Sequence, residues 1–338
     1  MMKVTVTGAG GYIGSVLVPM LLEAGHEVTA LDRFFFGETL AEHPRLTRRR
    51  HDSRFTTLGD LEGAEALIDL VAISNDPSGE EFRNETLAIN WRARSSNAAL
   101  AKEAGVRRYV LPSSCSIYGF QDQETVVDET WPTNPLTTYA VANEKAEADV
   151  LGLADASFTV VVLRQATVYG LSPRMRFDLA INGMTFGAYR TGTLPLMRDG
   201  SQWRPMVHVK DTAAAQIFML DAAPEAVNGQ IFNVGSAENV YQLGPLAEIV
   251  AAEVPREVAV EFYGEVDHRS YRVDFGKIEA LGWKATRTAE DGVREICAAM
   301  DGGLEKDERT ITLAWYRRLE ALRAEIAALE LHGGMLRL

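Results

Sequence analysis

The chain has 338 residues, 46% of them hydrophobic and 24% charged, with a formal net charge of −13. That balance suits a globular chain with a sizeable core, and the acidic surplus disfavours a nucleic-acid or anionic-membrane surface, since both require a basic field. Two cysteines, Cys115 and Cys297, stand far apart without metal-ligand spacing, and the six histidines form no cluster, so no metal site is expected and the thiols read as reduced, in a cytoplasmic protein.

The chain opens at once on "KVTVTG", a short buried strand, so no signal peptide is expected. "IGSVLVPMLLEAG" follows as an amphipathic helix stopped at Gly25, and "EVTALD" as a second strand. "ALIDLVAIS" and "RRYVLPSS" are further apolar runs of strand length, separated by the helical "NWRARSSNAALAKEAG". "TYAVANEKAEADVLGLA" has helical spacing and "FTVVVLR" is the next strand. Strands alternating with helices predict a doubly wound parallel α/β sheet, a Rossmann fold, over residues 1–170. Beyond Gly170 the pattern is less regular, and a smaller α/β lobe is expected over 171–300, with a return to the first domain near 205–235. An amphipathic helix is expected over 308–332, packed on its own body or forming a subunit contact. No apolar run reaches the roughly 18 residues of a membrane span.

In "TGAGGYIG", Gly8, Gly11 and Gly14 sit directly after a strand and at the mouth of a helix. Glycine permits a tight turn and lets the backbone approach a pyrophosphate, while the helix start offers free N–H groups, so Tyr12 and Ile13 belong to the same cradle. Asp32 ends the second strand, where a carboxylate accepts hydrogen bonds from both ribose hydroxyls and repels a 2′-phosphate. NAD is therefore expected as cofactor rather than NADP, although the neighbouring Arg33 leaves room for some NADP use.

This G-x-x-G-x-x-G spacing resembles that of the extended short-chain dehydrogenase/reductase family, whose members act on nucleotide-activated sugars. The resemblance runs over roughly residues 3–300 and implies further roles. Asp52 matches an adenine-contacting acid, and Asn90 an asparagine that braces the active-site backbone beside the cofactor. In "LPSSCSIYG", Ser114 matches the catalytic Ser or Thr that hydrogen-bonds the reacting substrate oxygen, and Ser113 reads as structural. Related dehydratases place an acid pair at the next two positions. Cys115 and Ser116 stand there instead, which points away from water elimination and leaves Cys115 as a further acid/base candidate.

Tyr139 matches the family's acid/base, but the lysine expected four positions on is Asn143. A free tyrosine has a pKa of about 10, so a phenolate base needs a nearby positive charge. Asn143 can hydrogen-bond a ribose hydroxyl but adds no net charge. Lys145 lies six along, about 240° around a regular helix rather than about 40°, so it points elsewhere.

Toward the sugar end, "LRQATVYG" resembles the family's substrate-lining segment, with Thr167 where asparagine is frequent. "WRPMVHVKD" supplies Arg204 as a diphosphate ligand with His208 and Asp211 as supports, and "DHRSYRVDFGKI" supplies Arg269 as the second arginine. Arg174 and Arg176 in "SPRMRFD" are further candidates for contact with sugar or phosphate. The resemblance implies a homodimer holding NAD tightly and acting on a nucleotide-diphosphate sugar. The expected reaction is epimerisation by transient oxidation of a sugar hydroxyl, at C4. One-way reduction of a 4-keto sugar and non-catalytic binding of NAD or a sugar nucleotide are the alternatives.

Overall fold

The computed structural model describes the chain except residues 123, 198–199, 264–269, 332–334 and 337–338. In chain order the elements begin with β1 (Lys3–Thr7), α1 (Gly14–Glu23), β2 (Glu27–Asp32), β3 (Leu46–Arg50), β4 (Ala66–Asp69), α2 (Asp76–Glu81), α3 (Arg83–Thr86), a π-helical segment (Leu87–Ala93), α4 (Arg94–Glu103), β5 (Arg108–Ser114), β6 (Val126–Val127), α5 (Thr138–Leu151) and β7 (Thr159–Gln165). Next come β8 (Thr167–Tyr169), α6 (Ala180–Thr191), β9 (Thr193–Met197), β10 (Trp203–His208), α7 (Val209–Asp221), α8 (Pro224–Val227), β11 (Gln230–Val234), β12 (Val240–Gln242), α9 (Leu243–Glu253), β13 (Ala259–Tyr263), β14 (Arg272–Val273), α10 (Gly276–Ala280), α11 (Ala289–Asp301) and α12 (Thr312–Leu329).

Seven parallel strands form the main sheet in the order β11-β7-β5-β4-β1-β2-β3. Its central members β4, β5 and β7 are almost wholly buried, which explains their unbroken apolar runs. The order of strands reverses between β1 and β4, and a crevice opens there at the carboxyl ends. One apolar cluster packs α1 and α7 on one face, and another packs α4 and α5 on the other. A third cluster joins α6, α9 and α11 beneath the small β12-β10-β8 sheet.

Two elements differ from the sequence expectation. "LTRRR" is strand β3, although four of its five side chains are exposed. It is an edge strand, so its backbone pairs with β2 on one side only and no apolar alternation marks it. The helix expected from "NWRARSSNAALAKEAG" is regular only from Arg94, and the turn before it is π-helical over Leu87–Ala93. A π turn widens the helix by one residue and re-aims the side chains that follow it.

Candidate active site

A cleft of about 800 Å³ runs over the switch point from the glycine turn to β10. Gly8 has φ +64°, and a Cβ on it would sit 2.8 Å from the Val71 nitrogen. A Cβ on Gly14 would sit 2.4 Å from the Gly8 carbonyl oxygen, so α1 starts hard against the turn. Gly11 N–H donates to that same carbonyl at 3.0 Å. Gly11, Tyr12, Ile13 and Gly14 all line the cleft, with the unpaired N–H groups of the helix start among them. The room left by the absent side chains fits a dinucleotide pyrophosphate.

Asp32 lines the same end. Its carboxylate accepts from Gly10 N–H at 3.0 Å and Phe34 N–H at 2.5 Å, and burial raises its pKa against the pull of those bonds. Each oxygen keeps a lone pair for a ribose hydroxyl. Arg33 lies 4.2 Å over the Phe35 ring and pairs with Asp52 at 3.0 Å. Arg54 grips Asp52 as well, at 2.6 Å, and holds its carboxyl below the usual range. Tyr12 donates its hydroxyl to the Gly170 carbonyl at 2.5 Å and accepts from Asn182, so that hydroxyl ties the glycine turn to the segment after β8 and to α6 rather than reaching a ligand. Asn90 braces the backbone behind the cleft rather than lining it. Both of its amide atoms are engaged by the backbone of Ile73, at 2.8 and 2.9 Å, and it stays fully buried outside the cleft lining.

Helix α12, expected to pack on its own body or to form a subunit contact, covers this end. Ile311, Leu313 and Tyr316 line the cleft. Tyr316 packs between Phe36 and Phe82, and Trp315 donates to the Phe35 carbonyl at 2.7 Å. Thr312 accepts from Arg174 at 3.0 Å. Arg174, a candidate for contact with sugar or phosphate, has its guanidinium stacked 3.7 Å over Phe36 beside Asp32, at the cofactor end. It is 5% exposed, and its Nε and second terminal nitrogen find no partner among the described residues. Burial, and then neighbouring Arg176, push this guanidinium down to about 9. A buried cation with idle donors suits a phosphate. Arg174→Ala is expected to weaken NAD binding roughly 10- to 150-fold, from about 1.5–3 kcal/mol for hydrogen bonds to a charged group. Calorimetric titration of NAD into stripped protein checks it, with Thr312→Val as a milder control.

At the chemical centre, β5 ends in Ser114 and α5 begins beside it, so Ser114 and Tyr139 both line the cleft. Helix α2 packs against Tyr139 through Gly79, where a Cβ would lie 3.1 Å from the tyrosine Cβ. No described residue hydrogen-bonds the Tyr139 hydroxyl. The Ser114 hydroxyl accepts Ser116 N–H at 3.1 Å, which orients it, and the Ser116 hydroxyl is buried in the cleft lining without a partner among the described residues. Ser113 turns inward and donates to Glu147.

Cys115 is corrected: it is fully buried outside the cleft lining, donates to the Arg164 carbonyl, and burial drives its thiol pKa far up. It falls on the inner side of the turn that carries Ser114 and Ser116. Asn143 is corrected too. It is 1% exposed and absent from the cleft lining, and its carbonyl oxygen accepts from Arg94 at 2.9 Å. Lys145 lies 4.7 Å over the Trp91 ring, away from the centre, and α5 contains no bulge.

Toward the sugar end, Thr167 and Arg204 line the cleft. Arg204 lies 5.6 Å over the Tyr271 ring and donates to the Trp203 carbonyl. Arg176 also lines the cleft, but it is bound to Asp178 at 2.9 Å and to Ser74 at 3.1 Å. Burial raises the Asp178 carboxyl, yet Arg176 overcomes this and brings it to about 2. Arg269 lies outside the described residues. His208 and Asp211 are supports: the imidazole meets Glu295 at 2.6 Å, and Asp211 binds Thr286 and Arg287.

The family model described as "NAD dependent epimerase/dehydratase family" matches residues 4–235. The low-salt glycan biosynthesis protein Agl12 of Haloferax volcanii is 28% identical over 91% of this chain and 100% of its own length. A UDP-glucose 4-epimerase of Corynebacterium glutamicum is 27% identical over 85% and 92% respectively. The solved structure of MoeE5 in complex with UDP-glucuronic acid and NAD superposes with a TM-score of 0.80 at 27% identity, covering 89% of this chain and 100% of that one. With the glycine cradle, Asp32 and the Ser114–Tyr139 wall already in place, the match over residues 4–235 decides the matter: this chain belongs to the NAD-dependent epimerase/dehydratase family.

Proposed function

We propose that the protein is a nucleotide-sugar 4-epimerase. The observation that carries this reading is the composition of the chemical wall. Ser114 and Tyr139 face one cleft, while the adjacent positions hold a buried thiol and a hydroxyl rather than a carboxylate pair. A hydroxyl and a phenol suffice to move a proton on a sugar hydroxyl, whereas elimination of water needs an acid and a base poised at neighbouring carbons.

NAD, when bound, accepts a hydride and later returns it. Tyr139 takes the proton of the reacting hydroxyl and gives it back after the keto sugar has turned. Ser114, fixed by Ser116 N–H, donates to the same oxygen and holds it beside the phenol. Arg204 grips the diphosphate, so the sugar can rotate about a fixed anchor. The cover of α12 over the dinucleotide end supports a cofactor that stays bound between turnovers. A homodimer in a reducing cytoplasm is the proposed setting, with the exposed outer half of α12, including Ile326 and Leu329, as the region for sedimentation analysis to examine first.

UDP-glucose and UDP-glucuronic acid, the sugars carried by the MoeE5 complexes, are the first probes. Incubated with the purified protein and no added cofactor, one of them is expected to give an equilibrium mixture of C4 epimers by proton NMR. Product formed only with stoichiometric NADH or NADPH would replace the epimerase by a ketoreductase.

A further inference from the structure

Two guanidiniums stand at the Asp32 end of the cleft, and both are bound to one carboxylate. The register of β2 and β3 brings them there. Asp32 at the end of β2 lies opposite Arg50 at the end of β3, and His51 N–H donates to the Asp32 carbonyl at 2.8 Å. The residues that follow the two strands therefore share one rim, and Asp32, Arg33, Asp52 and Arg54 all line the cleft.

The Asp52 carboxylate accepts four hydrogen bonds. One oxygen takes the Arg54 backbone N–H at 3.1 Å and Arg54 Nε at 2.9 Å. The other takes a terminal nitrogen of Arg54 at 2.6 Å and one of Arg33 at 3.0 Å. A carboxylate has about four lone-pair sites, so this one is saturated and keeps none for an adenine amine, the contact that its place in the sequence suggests. Asp32 is different. Its carboxylate is held by the N–H groups of Gly10 and Phe34 and retains capacity for ribose hydroxyls.

Arg33 is fixed on two sides. Asp52 holds one terminal nitrogen, and the guanidinium lies 4.2 Å over the Phe35 ring, whose own carbonyl is tied to Trp315 of α12. Arg54 is gripped by both Asp52 oxygens. An arginine next to the acid at the end of the second strand is the group that accommodates the 2′-phosphate of NADP. Here that arginine and Arg54 are both already paired.

We infer that Asp52 sets the choice of dinucleotide: as the shared counter-ion of Arg33 and Arg54 it withholds both from a 2′-phosphate, and Asp32 is left to select the free ribose diol of NAD. The other basic residues of β3 have acids of their own, Arg48 and Arg50 pairing with Glu38 and Arg49 with Asp60. Arg174, also near Asp32, suits the pyrophosphate that NAD and NADP have in common, so it does not discriminate between them. Dinucleotide choice is independent of which sugar reacts.

The experiment reads binding rather than turnover. Protein stripped of dinucleotide is titrated calorimetrically with NAD and with NADP, as wild type and as Asp52→Asn. Asparagine keeps the shape and the N-cap that Asp52 gives the turn over Ser53–Phe55, so the fold is retained. The ratio of the two dissociation constants is expected to move toward NADP by roughly five- to twenty-five-fold, the scale of freeing two partly exposed ion pairs. The gain should shrink as salt is raised. Adding Arg33→Ala and Arg54→Ala to Asp52→Asn should abolish it, and Asp52→Ser should reproduce it. An unchanged ratio in Asp52→Asn, with NAD and NADP weakened alike, overturns the inference and returns Asp52 to an adenine contact. A gain that survives removal of both arginines overturns it as well.

Discussion

Tyr139→Phe is expected to lower turnover by about 10²–10⁴-fold, the range for loss of a positioned acid/base, while NAD stays bound and the fold is unchanged. The ring itself is half-buried against α2, where Gly79 leaves room for it, and phenylalanine keeps that packing. What disappears is one hydroxyl that no described residue engages, so no buried partner is stranded by its removal. Measurement of kcat and KM on the responsive UDP-sugar, beside the dinucleotide content of the purified variant, checks both halves. A drop in kcat with KM little changed is the signature of a group used in the chemical step. Retained turnover would move the acid/base role elsewhere, and Ser114 and Ser116 would then be the hydroxyls to test, because Cys115 faces the core.

The second large effect is on stability. Glu147 and Arg164 are 3% and 5% exposed and meet at 2.7 Å, linking α5 to β7. Glu147 also accepts from Ser113, and Arg164 donates to Tyr118. Glu147→Ala leaves a guanidinium buried with its main acceptor gone, and breaking such a pair costs about 3–5 kcal/mol. The midpoint of denaturant unfolding should fall accordingly. Replacing both members with apolar side chains, as in Glu147→Leu with Arg164→Met, should cost less than the single change, since no lone charge remains. The same pair sets α5 against β5 and β7, and therefore Tyr139 against Ser114, so the single variant should also lose activity in proportion to the misplacement.

What the sequence made legible is what is written locally. Gly8, Gly14 and Asp32 lie within one strand-turn-helix-strand unit, and steric need alone selects glycine where a Cβ would meet backbone at 2.4–2.8 Å. Ser114 and Tyr139 sit at the ends of strongly patterned elements, so their meeting at the cleft followed from the parallel sheet. Strand β3 escaped because an exposed edge needs no apolar alternation. Cys115 was misplaced because a one-residue step in a tight turn sends a side chain to the opposite face, and periodicity does not resolve that step. The cofactor-end placement of Arg174 and the contact of Arg94 with Asn143 were not legible for a shared reason. A guanidinium acts at the end of a long stem, and where it arrives depends on which helices meet. Nothing near Arg94 in the chain announces a π turn or names Asn143 as its partner.

The helix over the dinucleotide end has a consequence for folding. Phe35 and Trp315, joined by a hydrogen bond, are 280 positions apart. Contacts of such long sequence separation form late, because loop-closure entropy opposes them until the rest of the fold has brought both partners together. The seam between Phe35 and Trp315 therefore closes after the glycine turn and its flanking strands have paired.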